Sequence, residues 1–207
     1  MDSRTPAAPA EIVKVGHPVL RLGTKLVPPE LFGTSALYEL IEVMRVTLAG
    51  QGVGLAAPQI AVPLRLFVIE DTEERMKHLS PDVRRDRHRY PYPFEAIVNP
   101  TWRATSSRIV VEQEGCLSIP GFIADVPRYW AIAVEGSHPD GGRARWSVEG
   151  WPARIFQHEI DHLDGILMTD RMLPRSLTST VPHGVGAPSD LLKRLGVDDV
   201  EPGAGRE

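Results

Sequence analysis

The chain has a single cysteine, Cys116, among 207 residues. An intramolecular disulfide is excluded, so the fold cannot rest on covalent staples. A lone cysteine is most often a small buried hydrophobe, and Cys116 must be judged by its neighbours. No run approaches the roughly 18 apolar residues needed to cross a bilayer. Met1 to Ala10 is polar and Pro/Ala-rich; it has neither the apolar centre of a secretion signal nor the Arg-rich pattern of a transit peptide. The expectation is a cytoplasmic protein without membrane contact. An excess of positive charge is missing too: the formal net charge is -4. No direct nucleic-acid binding is expected on that balance.

What is present fits one globular domain. Apolar residues make up 42% and charged residues 24%, ordinary values for a chain long enough to bury a core. There is no internal repeat and no linker. Residues 1-10 are expected to be mobile, 11-175 to form the folded domain, and 176-207 to be a loosely attached Gly/Pro-rich tail with a short helix over Ser189 to Leu195.

Thr34 to Gly50 reads as a helix, with Leu37, Leu40, Ile41, Met44 and Leu48 at helical spacing, Thr34 or Ser35 as cap and Gly50 as stop. Arg65 to Glu70, Ala96 to Asn99, Ile109 to Glu112 and Tyr129 to Glu135 read as strands. His138 to Gly142 is a turn, after which Arg143 to Val148 returns as a hairpin partner. Pro152 suits the first position of a second helix and Gly165 its end. The predicted architecture is α+β: mostly antiparallel strands packed around this second helix, with an N-terminal helix. Asp71 to Glu95 carries Arg84, Arg85, Arg87, His88 and Arg89, but Asp82 and Asp86 dilute the charge. A solvated surface loop is expected there.

The second helix contains His158-Glu159-Ile160-Asp161-His162. Four residues is about one helical turn, so both imidazoles leave one face and are able to grip one metal ion. Glu159 then lies beside the open coordination position, placed to carry a proton to and from a bound water. A catalytic site needs a third protein ligand. In the spacing His-Glu-x-x-His-x-x-Gly-x-x-His of one protease class the last position is histidine, and here Met168 stands there. A thioether is a poor ligand for a borderline divalent metal. Cys116, in Glu114-Gly115-Cys116-Leu117-Ser118 at a Gly turn after a strand, is the better candidate. The alternatives are a peptidase and a domain with a structural zinc, which would need a fourth protein ligand. A third motif is Gly52-Val53-Gly54-Leu55-Ala56-Ala57-Pro58-Gln59. No Gly-Lys-Ser/Thr follows, so it is not a phosphate loop. Its glycines suit close backbone packing or a strand edge that an extended peptide approaches, where Gln59 is able to offer an amide N–H to an oxyanion.

GVGLAAPQ, EGCLS and QHEIDH, in this order, resemble the three motifs of the peptide deformylase family, over about Val13 to Met172. Gly121 to Arg128 and Gly150 to Ile155 resemble its organellar branch, although the missing transit pattern favours a bacterial enzyme. The resemblance implies a metal-dependent hydrolase that removes the formyl group from the N-terminal formylmethionine of new polypeptides. It implies Cys116, His158 and His162 as metal ligands and Glu159 as general base and then acid. Gln59 and the Leu117 N–H would hold the oxyanion, and Gly54 would meet the peptide backbone. Val53, Trp151 and Ile155 would line the methionine pocket, with His158 at its floor. Arg154 is an odd neighbour for such a pocket and is expected to point outward. The implied cofactor is one divalent ion, Fe2+ by resemblance, although two imidazoles and a thiolate suit Zn2+ equally. The implied partners are formylmethionyl peptides and nascent chains, with transient ribosome contact.

Overall fold

The computed structural model describes residues 7–181 and 193–196. In chain order the elements are α1 (Ser35–Leu48), β1 (Gly54–Ala56), β2 (Leu66–Asp71), α2 (Glu73–Met76), α3 (Pro81–Asp86), β3 (Tyr92–Ala104), β4 (Ile109–Cys116), β5 (Ile119–Tyr129), β6 (Ala131–Ser137), β7 (Arg143–Glu149), α4 (Gly150–Leu163), α5 (Met168–Arg171) and β8 (Thr178–Ser179). The α+β expectation holds. One sheet has the order β1-β2-β3-β6-β7 and a second the order β4-β5-β8. All of these strand pairs are antiparallel.

Two apolar faces explain the layering. Side chains alternate along a strand, and β2 is apolar on both sides. Leu66 and Val68 pack with Leu37, Ile41, Met44 and Leu48 of α1. Phe67 and Ile69 face the other way, onto Ile155, Phe156 and Ile160 of α4. The larger sheet is therefore buried between the two long helices. Phe67 and Phe156 meet edge to face at 5.2 Å between ring centroids. A third cluster joins Leu20, Val126 and Met168 around Cys116 and Ile119. Met168 is thus a core residue of α5.

Local signals set the helix ends. The Thr34 hydroxyl accepts from the Leu37 N–H and caps α1. Gly165, at φ +75° after α4, adopts the left-handed conformation that glycine tolerates. The start of α4 differs from expectation. The helix begins at Gly150, and Pro152 is its third residue, still in the first turn where a missing N–H costs nothing. Of the predicted helix over 189–195, residues 189–192 lie outside the described residues.

The Asp71 to Glu95 segment is not simply a solvated loop. It holds α2 and α3, and its Arg89 forms a buried pair with Asp71 at 2.8 Å. β5 is an element that the sequence reading lacked.

Candidate metal centre

The hairpin of β4 and β5 delivers Cys116. Cys116 pairs with Ile119 across a two-residue turn, Leu117-Ser118, while the preceding Gly115 pairs with Ile123. Pro120, Gly121 and Phe122 are extra residues in β5 at this bulge, and Gly121 has φ +81°. Bulges of this kind re-aim side chains, and here the thiol points at α4. The Cys116 Sγ lies 3.3 Å from His162 Nε2. One ligand atom each from Cys116, His158 and His162 falls within 4.8 Å of the others. The three predicted ligands therefore converge, and among the described residues no fourth joins the cluster.

His158 Nδ1 is 2.9 Å from Glu114 Oε2, which leaves Nε2 as the free ring nitrogen. Metal-binding imidazoles are characteristically oriented in this way through their second nitrogen. Glu114 is itself fixed from two sides. Arg128 donates Nε and Nη2 to it, both at 2.9 Å, and Arg154 donates Nη1 at 2.7 Å. Arg154 is therefore not turned outward. It is buried and also donates to the carbonyls of Val126 and Val110. Asp161, one helical turn below, accepts from Arg128 at 2.5 Å and from Arg171 at 2.8 and 2.9 Å. Buried charges are costly unless paired and hydrogen-bonded, and here all four central groups are.

Electrostatics follow the same geometry. Burial alone would push Glu114 up, but its bonds to Arg128 and His158 hold it well below the usual carboxylate range. Burial alone would pull His158 down, but Cys116 and Glu114 more than reverse it. At His162 burial wins, reinforced by charge on His158, and the ring is pushed well below its ordinary value. The surroundings thus favour positive charge on His158, beside Cys116 and Glu114, and disfavour it on His162. A thiolate and two imidazoles form a donor set that suits a borderline divalent ion, so the residues present fit a metal.

Glu159 follows His158 on the same helix. It is buried, its Oε2 has no hydrogen-bond partner, and burial pushes its carboxyl up to about 7. Gly54 of β1 faces it. A Cβ on Gly54 would come within 2.8 Å of the Glu159 carboxyl carbon and 2.9 Å of its Cγ. The glycine therefore makes room for the Glu159 side chain, a contact absent from the expectation that it would meet peptide backbone. Gln59 is buried and held by its carbonyl, which accepts from the Ala56 N–H at 2.8 Å. Its Nε2 then faces the site, 3.3 Å from Ser118 Oγ and 3.8 Å from Cys116 Sγ.

These groups lie along one cleft of about 800 Å³, lined by Val53, Gly54, Gln59, Cys116, Leu117, Trp151, Ile155, His158 and Glu159. The structure thus gathers every predicted catalytic and pocket residue beside the metal ligands; His162 lies behind them. Sequence reasoning missed Ser118, Glu114, Arg128 and Asp161. Glu114 was within the quoted EGCLS motif, and its acidic side chain beside a candidate ligand was the available signal.

Comparison with known proteins covers the stretch that carries these residues. The profile of the polypeptide deformylase family matches residues 9–177. The chain is 38% identical over 183 residues to peptide deformylase 1A, chloroplastic, of Solanum lycopersicum, covering 86% of this chain and 66% of that protein. It is 44% identical over 174 residues to peptide deformylase 1 of Streptomyces coelicolor, covering 83% and 77%. Among solved structures, the Met-Ala-Ser-bound class I type b peptide deformylase of Acinetobacter baumannii is similar with a TM-score of 0.71 at 30% identity, covering 80% of this chain and 99% of that one. The relatives include both organellar and bacterial proteins. Among the described residues no helix is long and apolar enough to cross a membrane.

Proposed function

This chain belongs to the peptide deformylase family, the enzymes that remove the formyl group from the N-terminal formylmethionine of new polypeptides, and we propose that its own side chains divide that reaction as follows. Cys116, His158 and His162 hold one divalent ion. A bound ion of this kind supplies a nucleophile at neutral pH and polarises a carbonyl. Glu159 takes the proton released when water adds to the formyl carbon. Gln59 Nε2 and the Leu117 N–H donate to the formyl oxygen as negative charge develops on it, stabilisation that matters most in a water-poor site. The C–N bond breaks, Glu159 returns its proton to the departing α-amine, and formate leaves. A carboxyl with its pKa near neutrality suits both halves of that exchange.

The substrate chain runs along β1 past Gly54, and its methionine side chain enters the part of the cleft lined by Val53, Trp151 and Ile155. The working ion is Fe2+, in keeping with the family, and Zn2+ fits the same donors. The compartment is the cytoplasm of a bacterium, a reading supported by the Streptomyces relatives. Action on nascent chains brings transient proximity to the ribosome.

The observation that carries the proposal is the convergence of Cys116, His158 and His162 beside a buried, unpartnered Glu159. The test is Glu159→Ala, purified without oxygen, with metal analysis and formate release from formyl-Met-Ala-Ser. Full metal content with turnover nearly abolished is expected. Substantial residual turnover would assign the proton transfers to another group.

A further inference from the structure

The basic cluster 84–89 has no part in the reaction described above, yet one of its members reaches the cleft. Asp71, at the end of β2, has a side chain 1% exposed, and Arg89 one 9% exposed. Arg89 donates Nε to Asp71 Oδ2 at 2.8 Å and Nη2 to Oδ1 at 3.1 Å, a forked pair. The same guanidinium stands 4.7 Å from the ring centroid of Trp151, and the Arg87 guanidinium 5.5 Å from it. The backbone N–H of Trp151 donates to the Arg87 carbonyl at 2.8 Å. Gly150, at φ +63°, lets these chains approach, since a Cβ there would lie 2.6 Å from the Arg87 carbonyl oxygen. Both Arg89 and Trp151 line the cleft.

A free guanidinium would be a poor wall for an apolar side chain. Asp71 neutralises it, and its flat face becomes a rigid backing for the indole. We propose that Arg89, seated on Asp71, is a specificity-determining residue: it fixes the Trp151 ring and so sets the width of the pocket for the first side chain of the substrate. This rests on the reading of Trp151 as a pocket wall. The segment 71–95 thereby acts as a buttress on the substrate side of α4, while Glu114 secures the metal side.

The test compares formyl-Met-Ala-Ser with formyl-Phe-Ala-Ser. Binding pockets discriminate by contact, and one methylene in an apolar pocket is worth roughly 10–200-fold. Arg89→Met should lower the Met-over-Phe ratio of kcat/KM by about five- to tenfold, carried mainly by a higher KM for the methionine substrate. Arg89→Lys, which keeps the charge and loses the fork, should do the same in part, and Asp71→Asn supplies a third route should Arg89→Met fail to fold. A lower melting temperature with an unchanged ratio in the folded variants would make the pair merely structural and overturn the proposal. Trp151→Ala separates the two readings. If Trp151→Ala shifts the ratio and the Arg89 and Asp71 variants do not, only this inference falls. If none shifts it, Trp151 is not a wall and the pocket reading falls as well.

Discussion

Gly54→Ala gives a sharp quantitative test, because its effect is set by one contact. A Cβ at this position would stand 2.8 Å from the Glu159 carboxyl carbon, closer still to Oε1, and 2.9 Å from Cγ. Ordinary contact begins near 3.4 Å, so the carboxyl carbon must retreat by about 0.6 Å, and Oε1 by more. Gly54 of β1 cannot yield easily, since it is paired with Ile69 of β2. Glu159 is buried on a helix packed against the sheet, so its side chain must change rotamer. A displacement near 1 Å at a reacting group costs about 10²-fold in rate, or about 2.7 kcal/mol on the barrier. Overpacking should lower stability by about 1–3 kcal/mol. The assay is formate release from formyl-Met-Ala-Ser, with metal content and thermal unfolding measured on the same sample. The expected result is a kcat about 10²-fold lower in protein that is folded and fully loaded with metal. A kcat within twofold of the parent would refute the steric argument, and a loss confined to KM would assign Gly54 to peptide approach alone.

Three other outcomes follow from the same geometry. Gln59→Ala should keep its metal and lose about 10²–10³ in kcat, the usual cost of one oxyanion donor; steady-state kinetics with metal analysis checks this. Glu114→Gln removes the charged partner of His158 and should weaken metal binding by about 10–100-fold in a chelator competition. Phe156→Ala, which empties a fully buried site against Phe67, should cost about 3–5 kcal/mol in urea unfolding.

How much of this was legible depended on the range of the interaction. The His158 and His162 pair was readable because both ligands sit on one helix, where spacing is geometry. Cys116 was readable through the glycine turn beside it. β5 was not read as a strand because Pro120, Gly121 and Pro127 break its pattern, yet Pro127 simply sits opposite Val111 and Gly121 serves the bulge. Arg154 was misplaced because nothing local distinguishes a buried arginine from a solvated one. Its partner Glu114 is 40 residues away. Arg89 lay hidden in the same way among neighbouring charges, since burial of Asp71 is a property of the packed end of β2, where it pairs with Tyr92 of β3. Pairings across the fold, more than elements, were what the sequence left open.

The central claim is a one-sulfur, two-nitrogen centre, and X-ray absorption at the zinc edge of zinc-loaded protein measures it most directly. One sulfur at about 2.3 Å and two imidazole nitrogens at about 2.0–2.1 Å are expected, with the sulfur contribution lost in Cys116→Ala. A spectrum with no sulfur neighbour in the parent protein would contradict the account.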